Sequence, residues 1–381
     1  MYCTGGSILC KNARWPTPAP PTVRSCANAM WTYILKRLLL MIPTLFGIVL
    51  VTFIVLQMVP GGPVERMIAQ LRASTRGRES GAALALHADQ QTRTEIQQEQ
   101  VEYFQKLYGF DKPVYVQFGT WLVRLFTFDF GESYYRHKKV VDLVLEKLPV
   151  SISLGAWSFV LTYLTCIPLG IRKAVQHGSR FDAITSMLIL IGYSVPGFVL
   201  GIFLIVLFGG GSFWSVFPLR GLTSDGFADF PWWHKVLDYL WHLVLPLTCE
   251  VIGSFAVLTL LTKNSFLDEI HRQYVQTARA RGLSQRRVLF KHVFRNAIIP
   301  IILGFPGSFL ALFFTGSLLI ETLFSLDGLG LLSYESIISR DYPVVMATLF
   351  FFSLLALVGN LLSDLSLILA DPRISFESAP R

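Results

Sequence analysis

Three residues sit where a polar side chain is expensive. Glu250 lies in the apolar run LPLTCEVIG, and Asn360 and Asp364 stand four apart in another apolar run. Carboxylates at bilayer depth are rare, and where they occur they serve ion paths, proton relays or contacts between helices. A relay wants a chain of such groups across several spans, which this sequence does not offer. Asn360 and Asp364, one helical turn apart, therefore read as a structural intramembrane polar pair that hydrogen-bonds a neighbouring helix. Glu250 is alone in its run, so it either faces a pathway or is packed against a neighbour.

A second set of residues lies in the water phase. Residues 274–300 read YVQTARARGLSQRRVLFKHVFRNAIIP, a basic segment between two apolar runs. Leu267–Arg281 is compatible with one helix, with Tyr274 and Ala278 one turn apart. Gly282 is placed to end it in the left-handed conformation. Ser284 then suits the N-cap of a second helix, Gln285–Phe294. Ala278, Ala280 and Gly282 make a smooth surface. Arg279, Arg281, Arg286 and Arg287 offer charge to an acidic partner or to lipid headgroups.

Other chemistry is missing. No G-x-x-x-x-G-K-[ST] occurs, so the chain has no P-loop for ATP. Gly328-Leu329-Gly330 lacks the third glycine and the preceding strand of a dinucleotide site. There is no HExxH and no G-x-S-x-G, and His292 stands alone. The five cysteines, at 3, 10, 26, 166 and 249, form no CxxC and read as free thiols. No catalytic residue and no metal or cofactor ligand is expected on this chain.

The elements that carry these residues are membrane spans. Of the 381 residues, 52% are hydrophobic and only 15% charged. A soluble domain carries about a quarter charged residues. Six apolar runs are long enough to cross a bilayer: roughly 38–59, 150–171, 183–208, 243–261, 297–320 and 342–370. Pro43, Pro168, Pro196 and Pro306 fall in or near them, as membrane helices tolerate. Residues 263–295 hold eight Lys/Arg against Asp268 and Glu269, net +6, and 172–182 are +2. The alternate loops are negative: −1 for 209–242 and −3 for 321–341. Positive loops stay inside, so both termini and the 274–300 segment are expected in the cytoplasm. The overall charge of +8 is assigned to topology and lipid rather than to nucleic acid.

Residues 1–29 lack the apolar core of a signal peptide and look foreign to the rest of the chain. Translation is expected to begin at Met30, with 1–29 a non-native or disordered extension. The first span is then 30–60, succeeded by an external region at 61–149. In it, Gln90–Tyr108 looks helical and the aromatic-rich Phe118–Phe130 is either a membrane-surface segment or a packed cap.

The pattern T-A-R-A-R-G-L-S…H-V-F-R-N-A-I-I-P resembles the "EAA" loop of bacterial ABC importer permeases, in its oligopeptide/dipeptide form. Thr277 stands where the family has Glu and Arg279 where it has a second Ala; Ala278 and Gly282 match. The resemblance extends along the chain from Met30, through FDFGESY before span two, FSLDGLGLLSYESIISRDYPVV as the last external loop, and the ending ADPRISFE. GGPVE at 61–65, FPLRGL at 217–222 and LTKNSFLDE at 261–269 are similar to the branch that takes up peptides and peptide–nucleotide conjugates such as microcin C. The resemblance implies an all-α integral membrane protein with six transmembrane helices and the type I ABC importer permease fold, a core at 150–371, and a cytoplasmic tail at 372–381. It also implies a coupling loop at 263–295 in which Tyr274, Thr277, Ala278, Arg279, Gly282 and Leu283 meet an ATPase subunit. The implied partners are a second, homologous permease subunit, two ATP-binding subunits or one fused ATPase carrying ATP and Mg, a periplasmic peptide-binding protein and membrane lipid. Two other classes remain open on the residues alone. A stand-alone secondary transporter or channel would favour inverted repeats or charges across several spans. A membrane scaffold would recruit a partner through the basic loop without transport.

Overall fold

The computed structural model describes residues 23–58, 112–209, 213–314 and 317–370. Gln90–Tyr108 and most of the 1–29 extension lie outside the described residues. Helix α1, Val23–Met58, opens the chain. A short helix α2, Val114–Phe126, precedes the long α3, Val140–Val175. Helices α4, Arg180–Ser194, and α5, Gly197–Phe208, come next, then the 39-residue α6, Trp232–Ile270. Beyond the basic segment come α10, Ile299–Phe314, α11, Leu318–Leu323, α12, Leu329–Ser339, and α13, Tyr342–Ala370. Four helices are long and apolar enough to cross a membrane, and six spans result if each of two bent pairs is one span.

The third span is not one helix, as the apolar run 183–208 suggested. α4 and α5 meet at 91°. Val195 is extended and caps α4, and Pro196 sits at the N-cap of α5. The pyrrolidine ring disfavours helical backbone at the preceding residue and removes a donor, so two apolar helices are joined at a corner. The fifth run is also shorter than its apolar length. It bends by 54° from the preceding element, and its helix is described over Ile299–Phe314.

α3 and α6 share the largest interface of the fold, ahead of α10 with α13. Ser158, Thr162, Cys166 and Gly170 recur every fourth residue on α3, and all are buried. This small-residue seam lets two backbones approach closely. A Cβ on Gly170 would lie 2.6 Å from Thr262 Cβ and 2.9 Å from the Thr259 carbonyl. Gly197 and Gly201 serve the same purpose on α5. A Cβ on Gly197 would meet the Cys249 carbonyl at 2.7 Å, and one on Gly201 would meet Leu323 at 2.5 Å.

The aromatic segment Phe118–Phe130 is packed against the first and last long helices. Phe118 of α2 meets Phe46 and Phe53 of α1, and Phe130 meets Phe350 and Phe351 of α13. The loop before α13 is tied down beside it. Asp341 accepts from Ser133 Oγ and from Tyr134 N, Arg136 pairs with Glu335, and Lys147 pairs with Asp327.

Glu321 is wholly buried and holds this end together. Its Oε1 accepts from Ser151 Oγ at 2.8 Å and Ser317 N at 3.3 Å. Its Oε2 accepts from Gly330 N at 2.7 Å and Leu331 N at 3.1 Å. A Cβ on Gly328 would lie 2.5 Å from that oxygen, so the Gly328-Leu329-Gly330 run makes room for a carboxylate.

Candidate functional site: the basic helix–turn segment

The long helix expected over Leu267–Arg281 is two helices. α6 ends at Ile270, Arg272 is extended, and α7 spans Gln273–Ala280. The break is spanned by side chains. Tyr274 donates its hydroxyl hydrogen to Glu269 Oε2 at 2.6 Å and accepts from Asn296 Nδ2 at 3.1 Å. Arg272 lies 3.6 Å from Glu269. Partial burial, with the Glu269 carboxylate alongside, pushes the Tyr274 hydroxyl up to about 12. It is therefore protonated, and able to donate to Glu269, at any physiological pH.

α7 ends as its glycine dictates. Gly282 has φ +76°. Its N–H donates to the Arg279 carbonyl at 2.9 Å, and Leu283 N–H donates to the Ala278 carbonyl at 3.4 Å. These two bonds make a Schellman ending, which satisfies carbonyls the helix leaves orphaned. The accompanying apolar contact is present, because Ala278 and Leu283 belong to one core with Ala174, Phe266 and Val275.

The second helix departs from expectation. Ser284 occupies the N-cap position of α8, Gln285–Arg287, but its side chain makes no capping bond. A π-helical turn, Val288–Val293, leads into α9, Phe294–Ala297. π turns shift the face a helix presents and occur often at functional sites. Here the turn sends both Val288 and Val293 into the core shared with α7.

The six expected coupling residues divide into two faces. Tyr274, Thr277, Arg279 and Gly282 are exposed. Ala278 is buried and Leu283 half-buried, so they seat α7 on the protein and present nothing to a partner. Of the six, only these four present an open surface. Glu269 and Asn296 join the site through Tyr274, and no sequence pattern marks them beyond proximity. Among the described residues no group of three His, Cys, Asp or Glu is placed to hold a metal ion.

The membrane carboxylates also part company. Asp364 binds α1, accepting from Tyr33 Oη at 2.9 Å and pairing with Arg37. Asn360, one turn away, is exposed. Glu250 stands near Ser158, and its Oε2 is buried with no hydrogen-bond partner among the described residues. A further node has no signature in the sequence. Asp182 on α4 takes Lys263 of α6 at 2.8 Å and Lys173 of α3 at 3.2 Å. Lys173, fully buried, also donates to Thr185 Oγ1 and Ser186 Oγ. Two cations that read as topology signals along the chain thus lock three helices at one end.

Residues 166–376 match the family model described as binding-protein-dependent transport system inner membrane component. The chain is 53% identical to the peptidoglycan transport system permease protein YejB of Agrobacterium fabrum, over 91% of this chain and 99% of that protein. It is 50% identical to the inner membrane ABC transporter permease protein YejB of Escherichia coli O157:H7, over 91% and 100%. It is 33% identical to the oligopeptide transport system permease protein AppB of Bacillus subtilis, again over 91% and 100%. A multi-pass helical bundle with a basic helix–turn segment mounted on its span ends, and with these relatives, belongs to the family of ABC transporter permeases of the binding-protein-dependent, inner-membrane type.

Proposed function

We propose that this chain forms half of the pathway of an ATP-driven peptide importer, paired with a second, homologous permease subunit. ATP and Mg sit on two ATP-binding subunits, or on one fused ATPase, and a periplasmic protein delivers the solute. The solute class is peptide-containing, in line with the peptidoglycan and oligopeptide named for the relatives, and extends to conjugates such as microcin C. Both termini and the 263–295 segment face the cytoplasm.

The observation that carries this reading is the mounting of α7. Its outer face and tip are exposed, while Val275 and Ala278 are packed against Ala174 of α3 and Phe266 of α6. Tyr274 ties the same helix to Glu269 and Asn296. A pull on the tip therefore reaches three span ends through short, packed connections. The Asp182 node makes α3, α4 and α6 move together, so the pull becomes a tilt of several helices. Glu250, a polar group whose buried oxygen is unpartnered, is the candidate for a pathway residue in this reading. The test is peptide uptake by proteoliposomes holding all subunits. Uptake that requires ATP and the delivery protein supports the reading, and uptake by this chain without an ATPase would overturn it.

A further inference from the structure

The basic segment carries more charge than docking at the α7 tip uses. Arg287, Lys291 and Arg295 are exposed and recur every fourth residue. The chain has no Asp or Glu between Glu269 and Glu321, so nothing nearby in sequence neutralises them. Val288, Val293 and Ala297 are buried, which fixes the opposite face inward. Phe290 is 56% exposed, and its ring lies 6.5 Å from that of Phe294. The outward face carries the three cations and Phe290, while Phe294 turns toward Phe266 of the core.

Its distance from the membrane is set by the bend. Ile299 opens α10, and the segment meets α10 at 54°. Arg295, Lys291 and Arg287 precede Ile299 by four, eight and twelve residues. At the α-helical rise these are at most about 6, 12 and 18 Å along the axis, the π turn Val288–Val293 shortening the last two. With α10 along the membrane normal, the bend reduces their heights above the hydrocarbon to about 4, 7 and 11 Å. The headgroup layer is about 5–7 Å deep on each side, and charge is felt for about 8 Å beyond it at physiological salt. All three cations fall within that range. A straight continuation would carry Arg287 up to about 18 Å, beyond that range.

We infer that Arg287, Lys291 and Arg295 form a seat for anionic phospholipid headgroups of the cytoplasmic leaflet. The seat holds the far arm of the coupling segment on the membrane while the Arg279–Gly282 tip engages the ATPase. It rests on the cytoplasmic placement proposed above. Each cation near an anionic surface strengthens attachment about fivefold.

The test uses the complete importer in proteoliposomes of phosphatidylcholine, with or without 30% phosphatidylglycerol as a chosen probe composition (about one anionic lipid in three, in the range where surface charge attracts basic segments). The wild type should transport several-fold faster with the anionic lipid. Arg287→Gln/Lys291→Gln/Arg295→Gln should lose that stimulation and still co-purify its ATPase. Arg287→Lys/Arg295→Lys should keep it, because the attraction depends on charge. A wild type indifferent to phosphatidylglycerol, or a triple Gln variant that still responds, overturns the seat. A triple variant that loses its ATPase in both lipids assigns the stripe to the ATPase instead. If Gly282→Asp binds the ATPase and transports normally while the lipid response persists, it is the coupling reading that fails, and the seat stands.

Discussion

Replacing Gly282 separates three effects that would otherwise be confused. Its φ of +76° is left-handed, and a Cβ there would meet nothing within 4 Å. Gly282→Ala therefore meets no neighbouring residue and carries only the backbone strain of a Cβ in that region, about 1 kcal/mol. That is about a fivefold shift in the population of the turn. α7 remains held by Val275, Ala278 and Leu283, so protein level in the membrane should not change. Asp and Asn tolerate left-handed backbone better than Ala, so their strain is smaller. If strain alone mattered, Ala would be the worst of the three. If the tip docks in a partner, the order reverses: Gly282→Asp abolishes uptake, Gly282→Asn is impaired by bulk, and Gly282→Ala retains the most activity of the three, about a fifth at a cost of about 1 kcal/mol. The assay is uptake of labelled peptide, normalised to permease and ATPase in the membrane. Normal uptake by Gly282→Asp at normal levels would refute the reasoning.

The same geometry sets four further outcomes. Tyr274→Phe removes the bonds to Glu269 and Asn296, worth about 1–3 kcal/mol together, and should lower peptide moved per ATP hydrolysed while ATP hydrolysis continues. The Tyr274 hydroxyl is raised from 10 to about 12, so its stabilisation is complete below pH 10 and is lost only as pH rises through 12. Wild-type coupling should then show no titration from this latch between about pH 6 and 9, and a pH step in coupling that Tyr274→Phe abolishes would contradict it. Glu321→Ala strands three backbone N–H groups and Ser151, at about 1–3 kcal/mol each, and should markedly lower the melting temperature in detergent. Glu250→Gln should reduce uptake of cationic peptides more than of acidic ones, and equal effects on both would remove Glu250 from the pathway.

What could be read from the sequence was local. The apolar runs marked the spans because twenty successive apolar residues need no partner to be recognised. Gly282 was legible because a helix C-terminus announces itself through one residue. Contacts between distant segments were not legible. Glu321 meets Ser151 across 170 residues, and Asp182 meets Lys263 across 81. In the sequence Glu321 was a loop charge and Lys263 a topology signal. Pro196 was visible inside its run, but whether a proline is absorbed or turns the chain depends on the packing around it. Ala278 and Leu283 matched a docking loop by position, yet only the fold shows which face of α7 is already occupied.

The central claim is that the exposed face of α7 and the Gly282 tip are the contact with an ATPase subunit. Disulfide cross-linking in the full importer tests it most directly. Single cysteines at 277, 278, 279, 282 and 283, in a chain lacking its native cysteines, would be paired with cysteines lining the ATPase surface. The account predicts cross-links at Thr277, Arg279 and Gly282 and none at Ala278 or Leu283. Cross-links confined to Ala278 and Leu283, or absent at every position in an actively transporting complex, would contradict it.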